Sequence, residues 1–412
     1  MVLFLFKCFT FLYFYILKFH KLNSWKKEIT GLKNQGYDLS NFLSPFEAKK
    51  NHHTEIILSY HGMGDNLLTR SVSEIYYHKT GKKLLIAVEF PSFFVNSNFV
   101  QIFNFIHPYE IKLFIKRLKK YLPFFFKLIN KTSEVKKNDY YDFNKTSSNR
   151  FSKIFNVVNF PVNFSLSYLT YMNYLKKEDC YVRKYPQCSI LVSLASKLGL
   201  EGEIIINPTL NLTNDEKDYG RFTQKRQIAI MSDSKVIYKR LPYKIIQEIV
   251  DRLKDKYDFI QIGPINDFPL NSVINLCGKI SLRQVASVLY NSDLFIGTIS
   301  GLMHLARCVG CPSVIAYAAE PTYFTQYEGN YHVYSKTPCN LCSENILNVP
   351  YELCTQDCKC IVNIDVNEMI DTIELALSSS KNLVSKVEKI NSPLKIDLKN
   401  LFYKIRTPNE YK

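Results

Sequence analysis

The chain has 412 residues, of which 46% are hydrophobic and 22% charged. These proportions are typical of globular proteins and exclude an intrinsically disordered chain, and the length predicts two domains because one hydrophobic core seldom grows to this size. Lysine and arginine number 53 against 37 aspartates and glutamates, and the formal charge of +16 favours a polyanionic partner such as nucleic acid, a phosphorylated glycolipid or an acidic membrane face.

Residues 1–18 are almost wholly apolar and aromatic. Lys7 interrupts them and no small-residue cleavage motif follows, which argues against both a signal peptide and a spanning helix. Basic side chains follow between Lys18 and Lys27, so one interpretation is an interfacial anchor and the other is a helix packed on the body of the protein. We assign residues 1–50 to this apolar and basic amino-terminal segment.

A strand, a loop, a helix and a second strand are predicted in succession from Glu55 onward. The apolar run EIILS is followed by the turn HGMGD, the helical stretch NLLTRSVSEIYYHK, a stop at Gly81 and the apolar run LLIAVE. Such a unit builds a parallel sheet with helices on its faces, and ligands bind at the loop after the first strand.

A basic and aromatic stretch occupies residues 111–137, where lysine and arginine alternate with phenylalanine, leucine and isoleucine. It is interpreted either as a contact with a membrane surface or an acidic acceptor, or as a solvated helix face over an apolar stripe. Residues 138–150 are polar and are predicted to form an exposed loop.

A second alternating series of strands and helices begins near Arg226. It reads RQIAIM, YKIIQEIVDRLKDK, DFIQIG, SVINLCG, SLRQVASVLYNSDL, LFIG, LMHLARCVG and SVIAY. This predicts an α/β protein with two Rossmann-like, doubly wound domains that face each other across a cleft. The predicted domains are residues 51–215 and 216–375, and residues 376–412 are predicted to be a helical tail.

The turn from Thr298 to His304 joins a buried strand to a helix. The first N–H groups of a helix lack intrahelical partners and carry about half a positive charge, so they suit phosphate oxygens. Gly301 permits close approach, and Ser300 can cap the helix and also donate a hydrogen bond. By itself, such a turn is more often a plain helix cap, and His304 is more often a packed histidine.

The sequence on both sides of this turn resembles that of a known protein family over residues 239–370. The segments KRLP, IQIGP, LCGKISLRQVASVL and SGLMHLARCVGCPSVIAY resemble, in order and spacing, the donor-binding domain of the bacterial heptosyltransferases of glycosyltransferase family 9. The resemblance implies the GT-B fold. It also implies a donor-binding domain at residues 216–375 and an acceptor-binding domain at residues 51–215.

Individual site residues follow from the same resemblance. It implies that the diphosphate of a nucleotide-sugar donor is held by the turn residues, which are Thr298, Ser300, Gly301, Leu302 and His304. Lys239 would neutralise the leaving phosphate. One departure is Ile299, which stands where the family usually has an aspartate that touches the donor sugar, so either the donor differs, the contact comes from elsewhere, or activity is lost.

The amino-terminal loop supplies the second match, with Gly62, Gly64 and Asp65 on the acceptor side. In the family a Gly-Asp pair after the first strand positions a carboxylate at the acceptor, and Asp65 falls on it. A carboxylate held in a cleft can accept the proton of an attacking hydroxyl, so Asp65 is predicted to be the general base. The alternative is that Asp65 caps the following helix through the amides of residues 66–69.

The resemblance predicts an inverting glycosyltransferase without a catalytic metal. The expected donor is ADP-heptose or another nucleotide-diphosphate sugar, and the expected acceptor is an anionic glycolipid such as the lipopolysaccharide core, at the inner face of the cytoplasmic membrane. The enzyme would be cytoplasmic or peripheral there. The alternatives are a protein O-glycosyltransferase of surface adhesins and a non-catalytic nucleotide-sugar-binding protein. No recognised nucleic-acid motif accompanies the charge, so nucleic acid is not expected as a partner.

Five of the eleven cysteines lie close together in the sequence. A C-x2-C knuckle followed by further thiols predicts a structural zinc or iron site, because four thiolates close a tetrahedral site. The predicted ligands are Cys339, Cys342 and Cys354, with Cys358 or Cys360 as the fourth. The alternative is a set of reduced cysteines in a packed loop.

Overall fold

A computed structural model describes a large part of the chain. The described residues are 25, 27–43, 56–58, 62–104, 162–163, 173–177, 180–184, 188–234, 239–318, 325–337, 359–379 and 386–390. The predictions for residues 1–18, 111–137 and 138–150 lie outside them. Among the helices so described, none combines the length and apolar character that a bilayer crossing requires.

The chain divides into two compact units. The first comprises residues 1–60 and 83–164, and the second comprises residues 61–82 and 165–412. This division differs from the predicted domain boundaries in one respect that matters for the site: the helix following the first strand groups with the second unit, although it lies in the amino-terminal part of the sequence.

The first unit contains a four-stranded parallel sheet of order β3-β2-β1-β4. Its strands are β1 (Ile56–Leu58), β2 (Leu84–Val88), β3 (Val100–Asn104) and β4 (Val162–Asn163). A helix, α1, covers residues 27–34, and a 3-10 turn covers Pro91–Phe93. Strand β2 buries Leu84, Leu85 and Ile86 in succession, which is typical of a parallel sheet covered on both faces.

The second unit is built on a six-stranded parallel sheet of order β10-β9-β8-β11-β12-β13. Its strands are β8 (Gln227–Ile230), β9 (Asp258–Gln261), β10 (Ile274–Asn275), β11 (Leu294–Thr298), β12 (Ser313–Tyr317) and β13 (Tyr331–Tyr334). In chain order this is 3-2-1-4-5-6, so the order reverses between β8 and β11. In open α/β sheets, ligands bind at the carboxyl ends of the strands beside such a reversal.

Helices of the second unit pack on this sheet and on each other. They are α2 (Met63–Thr80), α3 (Ile190–Lys197), α4 (Asn214–Tyr219), α5 (Tyr243–Leu253), α6 (Leu282–Tyr290), α7 (Gly301–Cys308) and α8 (Val366–Ser378). Helices α5 and α8 share one apolar core with the sheet, centred on Ile228, Ile249 and Ile373, which are fully buried. Helix α7 contacts β11 and β12 on one side and α2 on the other.

The remaining strands of this unit are antiparallel pairs. Strand β5 (Asn173–Lys177) pairs with β6 (Cys180–Lys184), and β7 (Gly202–Ile206) pairs with β14 (Lys386–Ile390). Strand β14 corrects the predicted helical tail, since residues 386–390 are extended. Pairing with β7 gives the backbone of this segment its hydrogen bonds, and valine and isoleucine suit a strand.

Candidate active site

The start of α7 lies at the reversal of the strand order. Ser300 is the N-cap of this helix, and its Oγ accepts a hydrogen bond from the backbone N–H of Met303 at 3.3 Å. The same Oγ donates to the sulfur of Met231, which follows β8, also at 3.3 Å. Ser300 is therefore a helix cap, and the cap stands between the ends of β8 and β11, where a doubly wound sheet binds nucleotides.

Gly301 brings the start of α2 against the start of α7. A methyl group on Gly301 would lie 2.7 Å from Cε of Met63 and 2.9 Å from the backbone nitrogen of Gly64. A methyl group on Gly64 would in turn lie 3.0 Å from Cδ2 of His304. Real Cβ atoms essentially never approach other atoms below 3.0 Å, so the absence of a side chain at Gly301 is what allows the two helix starts to touch.

Asp65 is the third residue of α2, and its side chain is half-buried. The helix begins at Met63, with Gly62 as its N-cap at φ 137°, a backbone conformation that favours glycine. The amide of Asn66 bonds to the carbonyl of Gly62 within the helix. The N-cap is therefore Gly62 and not Asp65, which lies inside the first turn.

His304 is buried, with 7% of its surface exposed, one turn into α7. Its Nδ1 lies 2.6 Å from the hydroxyl of Tyr327. Burial, and to a smaller extent the ammonium of Lys239, lowers the pKa of His304 to about 3. The imidazole is therefore neutral at physiological pH, and the effect of Lys239 shows that its charge lies close to the ring.

Arg240, the residue after Lys239, forms an ion pair with Asp233. Arg240 Nε lies 2.5 Å from Oδ1 of Asp233, and the guanidinium also donates to the carbonyl of Ser234 at 2.9 and 3.0 Å. These contacts fix the backbone on either side of residues 235–238. The structure thus brings Lys239, His304, Ser300, Gly301 and the start of α2 into one region of the second unit.

The other predicted donor residues are buried around the same turn. Thr298 ends β11 with 2% of its surface exposed, and its enclosed hydroxyl has no hydrogen bond to any residue that the structure describes. Leu302 is 8% exposed and Ile299 is 6% exposed. Ile299 is part of the apolar interior, so it offers no polar group to a sugar hydroxyl.

Asp267 was missed by the sequence reasoning. It follows β9, packs against Gly263, and its Oδ2 is enclosed without a hydrogen bond from the described part of the chain. Burial and the nearby carboxylate of Asp233 raise the pKa of Asp267 to about 6, against the opposing effect of Arg240. An acidic residue at the carboxyl end of the second strand is where doubly wound folds hold a ribose, and this rule could have singled it out.

The predicted metal ligands fall largely outside the described residues. Cys339, Cys342, Cys354 and Cys358 are among those not described, and Cys360 lies buried in a 3-10 turn, Lys359–Asn363. Across the residues that are described, no group of three or more histidine, cysteine, aspartate or glutamate side chains could hold a metal ion. The metal site therefore stays a prediction.

Comparison with known proteins identifies a family domain in the second unit. Residues 219–347 match the family model described as glycosyltransferase family 9 (heptosyltransferase). The matched region contains the reversed sheet, the α7 turn and Asp267. No curated protein matched the sequence.

Solved structures of glycosyltransferases share the fold at low sequence identity. A family 9 glycosyltransferase from Veillonella parvula DSM 2008 is 14% identical, with 80% of this chain and 98% of that chain covered at a TM-score of 0.50. The Escherichia coli ADP-heptose lipopolysaccharide heptosyltransferase II is 13% identical, with 79% and 98% covered at a TM-score of 0.51.

A third structure is the iron-containing dodecameric glycosyltransferase TibC from enterotoxigenic Escherichia coli H10407. It is 13% identical, with 79% of this chain and 78% of that chain covered at a TM-score of 0.53. The family match confirms the predicted resemblance to glycosyltransferase family 9 and supports the assignment as a glycosyltransferase. The shared fold confirms the GT-B α/β fold class.

Proposed function

We propose that this protein transfers a sugar, a heptose or a related one, from a nucleotide-diphosphate sugar to an anionic glycan acceptor such as the lipopolysaccharide core, with inversion at the anomeric carbon. One observation carries the proposal. The start of α2, which bears Asp65, packs against Gly301 and His304 at the start of α7. A carboxylate and a phosphate-binding helix start therefore belong to the same compact unit.

The proposed reaction is a single displacement. The acceptor oxygen forms a bond to the anomeric carbon while Asp65 takes its proton, and the bond from that carbon to the diphosphate oxygen breaks. Negative charge grows on the departing diphosphate. The backbone N–H groups at the start of α7 and the ammonium of Lys239 stabilise that charge.

The proposed donor is ADP-heptose or another nucleotide-diphosphate sugar. Support comes from the family match and from a relative described as an ADP-heptose lipopolysaccharide heptosyltransferase. We propose that the carboxylate of Asp267 accepts a hydrogen bond from a ribose hydroxyl, because its buried oxygen lacks a described partner and it follows the second strand of a doubly wound sheet. Thr298 and Leu302 would complete the wall around the diphosphate.

Ile299 bears on the identity of the sugar. Because this side chain is apolar and buried, the polar contact that the family makes with an aspartate has to come from another group or be absent. Either the donor sugar differs from the usual heptose in the hydroxyl that faces this position, or another group of the protein makes the contact. The same residue supports the second candidate, a non-catalytic protein that binds nucleotide sugars, and turnover distinguishes the two.

The proposed acceptor is anionic because the chain carries a formal charge of +16. The basic stretch 111–137 is the proposed contact with lipid or phosphate, which would make the enzyme peripheral on the inner face of the cytoplasmic membrane. A protein acceptor is the alternative. Competition between glycolipid and peptide acceptors in a transfer assay separates these possibilities.

We also propose that Cys339, Cys342 and Cys354, together with Cys358 or Cys360, hold a structural zinc or iron ion. Thiolate ligands select these metals, and a relative of the same fold is described as iron-containing. Four thiolates leave no open position, so the metal would stabilise the fold rather than act on the substrate.

Mass spectrometry of surface glycolipid from a strain lacking this gene product tests the function. We expect a species that lacks one hexose or heptose mass, restored by the wild-type gene but not by an Asp65→Asn gene. An unchanged glycolipid profile, together with no transfer by the purified protein from any nucleotide-diphosphate sugar, would overturn the proposal.

A further inference from the structure

The two ring nitrogens of His304 have different surroundings. Nδ1 faces the hydroxyl of Tyr327 at 2.6 Å. Nε2 faces the start of α2, where it would lie 3.6 Å from a methyl group on Gly64. Nε2 forms no hydrogen bond to a residue within the described ranges. Nε2 is therefore available to an acceptor atom of a bound ligand.

The hydroxyl of Tyr327 keeps its proton. Tyr327 is 3% exposed, and burial raises its pKa well above the usual value for tyrosine. Its ring meets the His304 ring edge-on, at an interplanar angle of 84° and a centroid separation of 5.6 Å, and the Arg307 guanidinium lies 5.9 Å from the Tyr327 ring centroid. Packing on both sides therefore holds the phenol in one orientation.

The direction of the hydrogen bond follows from the proton count. Among the described residues, His304 Nδ1 is the single recorded partner of the Tyr327 hydroxyl. If Nδ1 carried a hydrogen and donated it, the phenol proton would be buried without an acceptor among the described residues, which is costly. If Tyr327 donates instead, its proton is satisfied and the neutral imidazole carries its own hydrogen on Nε2.

We propose that Tyr327 is a positioning residue that holds His304 as the Nε2–H tautomer, so that this N–H is presented to an oxygen of the donor diphosphate. The inference rests on the proposed function, because the diphosphate is its ligand. In this arrangement His304 contributes a directional hydrogen bond, and Lys239 contributes the positive charge at the phosphate. The ammonium of Lys239 disfavours protonation of the His304 ring. Tyr327 itself touches no substrate and acts through the histidine.

The tautomer can be measured without any ligand. We expect long-range ¹H–¹⁵N spectra of the full chain, with ¹⁵N-labelled histidine, to show His304 as a neutral ring protonated on Nε2. His304→Gln identifies the resonance by its loss. A ring protonated on Nδ1, or an imidazolium at neutral pH, overturns the assignment whatever the donor proves to be.

Binding of ADP, as the probe, tests the role of Tyr327. We expect Tyr327→Phe to weaken ADP binding about tenfold, the effect of one misdirected hydrogen bond to a charged group. The matched control is Tyr317→Phe, which removes the hydroxyl of another buried tyrosine that contacts Thr325 at 3.4 Å and not His304. This control should bind ADP within about twofold of the wild type.

A double-mutant cycle separates positioning from general packing. Gln at position 304 keeps an N–H near the place of Nε2 but offers no nitrogen to Tyr327, so Tyr327→Phe should change ADP affinity by less than about twofold in the His304→Gln background. A tenfold loss in both backgrounds would assign Tyr327 a purely structural role and refute the inference. If the wild-type protein binds no nucleoside diphosphate, the proposed function and this ligand both fail, whereas normal ADP binding with an Nδ1–H ring contradicts the inference alone.

Discussion

Gly301 and Gly64 are in such close contact that a methyl group on Gly301 would lie 2.9 Å from the backbone nitrogen of Gly64. The contact joins the first turns of α7 and α2, two helices from distant parts of the chain. It ties the segment that bears Asp65 to the segment that would bind phosphate. The closeness of the proposed base to the donor therefore depends on two glycines.

Gly301→Ala should separate the two helix starts. The added methyl meets Met63 and the Gly64 backbone, and overpacking of this kind typically destabilises a protein by about 1–3 kcal/mol. We expect kcat to fall more than ADP affinity, because the base and the donor move apart. Thermal unfolding and steady-state kinetics measure the two effects. The control is Gly31→Ala in α1, where nothing lies within 4 Å of the new methyl group, and equal kinetic loss in both variants would exclude the packing argument.

Lys239→Gln should reduce kcat about 100- to 1000-fold, since it removes a cation from the departing diphosphate. It should also raise the pKa of His304 from about 3, because Lys239 disfavours the protonated ring, but burial is the larger cause and keeps the pKa below its usual value. A histidine NMR titration follows the second effect. Lys244→Gln, at an exposed position of α5, is the matched control, and an unchanged kcat in Lys239→Gln would remove Lys239 from the mechanism.

Asp267→Asn should have opposite effects on stability and binding. The folded-state pKa of about 6 lies above the usual aspartate value of 3.8, so the folded state binds the proton more tightly and stability falls as pH rises through this interval. Asn does not ionise, so the variant should melt higher than wild type at about pH 7.5 and equally at about pH 4.

The same variant should bind ADP about tenfold more weakly if the carboxylate accepts a hydrogen bond from the ribose. Asp255→Asn, at an exposed aspartate after α5, controls for the change in charge. A gain in stability without any loss of affinity would leave Asp267 outside the donor site.

Metal analysis tests the cysteine cluster. We expect about one zinc or iron ion per purified chain and its loss in a Cys339→Ser, Cys342→Ser double variant, with a lower melting temperature. Cys188→Ser, outside the cluster, should retain the metal. Wild-type protein without stoichiometric metal would favour reduced cysteines in a packed loop.

Local patterns predicted much of the second unit. The apolar run SVIAY coincides with β12, and the stop at Gly81 is a left-handed helix cap at φ 69°. Both follow from short-range rules, namely a continuous apolar run for a buried parallel strand and glycine for a left-handed cap. The start of α2 at Met63 differs from the predicted start at Asn66, because packing against Gly301 stabilises a first turn that contains glycine.

The features that the sequence did not predict depend on contacts between residues far apart in the chain. The hydrogen bond between His304 and Tyr327, the enclosure of Asp267 and the pairing of β14 with β7 each join residues whose neighbourhood is set by the fold. Tyr327 and Asp267 carry no local pattern of their own. The strand rule for doubly wound sheets would have indicated Asp267, whereas nothing in the sequence near Tyr327 indicates a partner for His304.

Asp65→Asn tests the central claim most directly. The variant should lose at least about 100-fold in kcat, because Asn cannot accept the acceptor's proton, while ADP binding measured by calorimetry stays within about twofold. Asp215→Asn is the matched control, since it also removes an acidic side chain from the first turn of a helix, here α4. Full turnover by Asp65→Asn, or equal losses in the two variants, would contradict a general base at Asp65 beside the phosphate-binding start of α7.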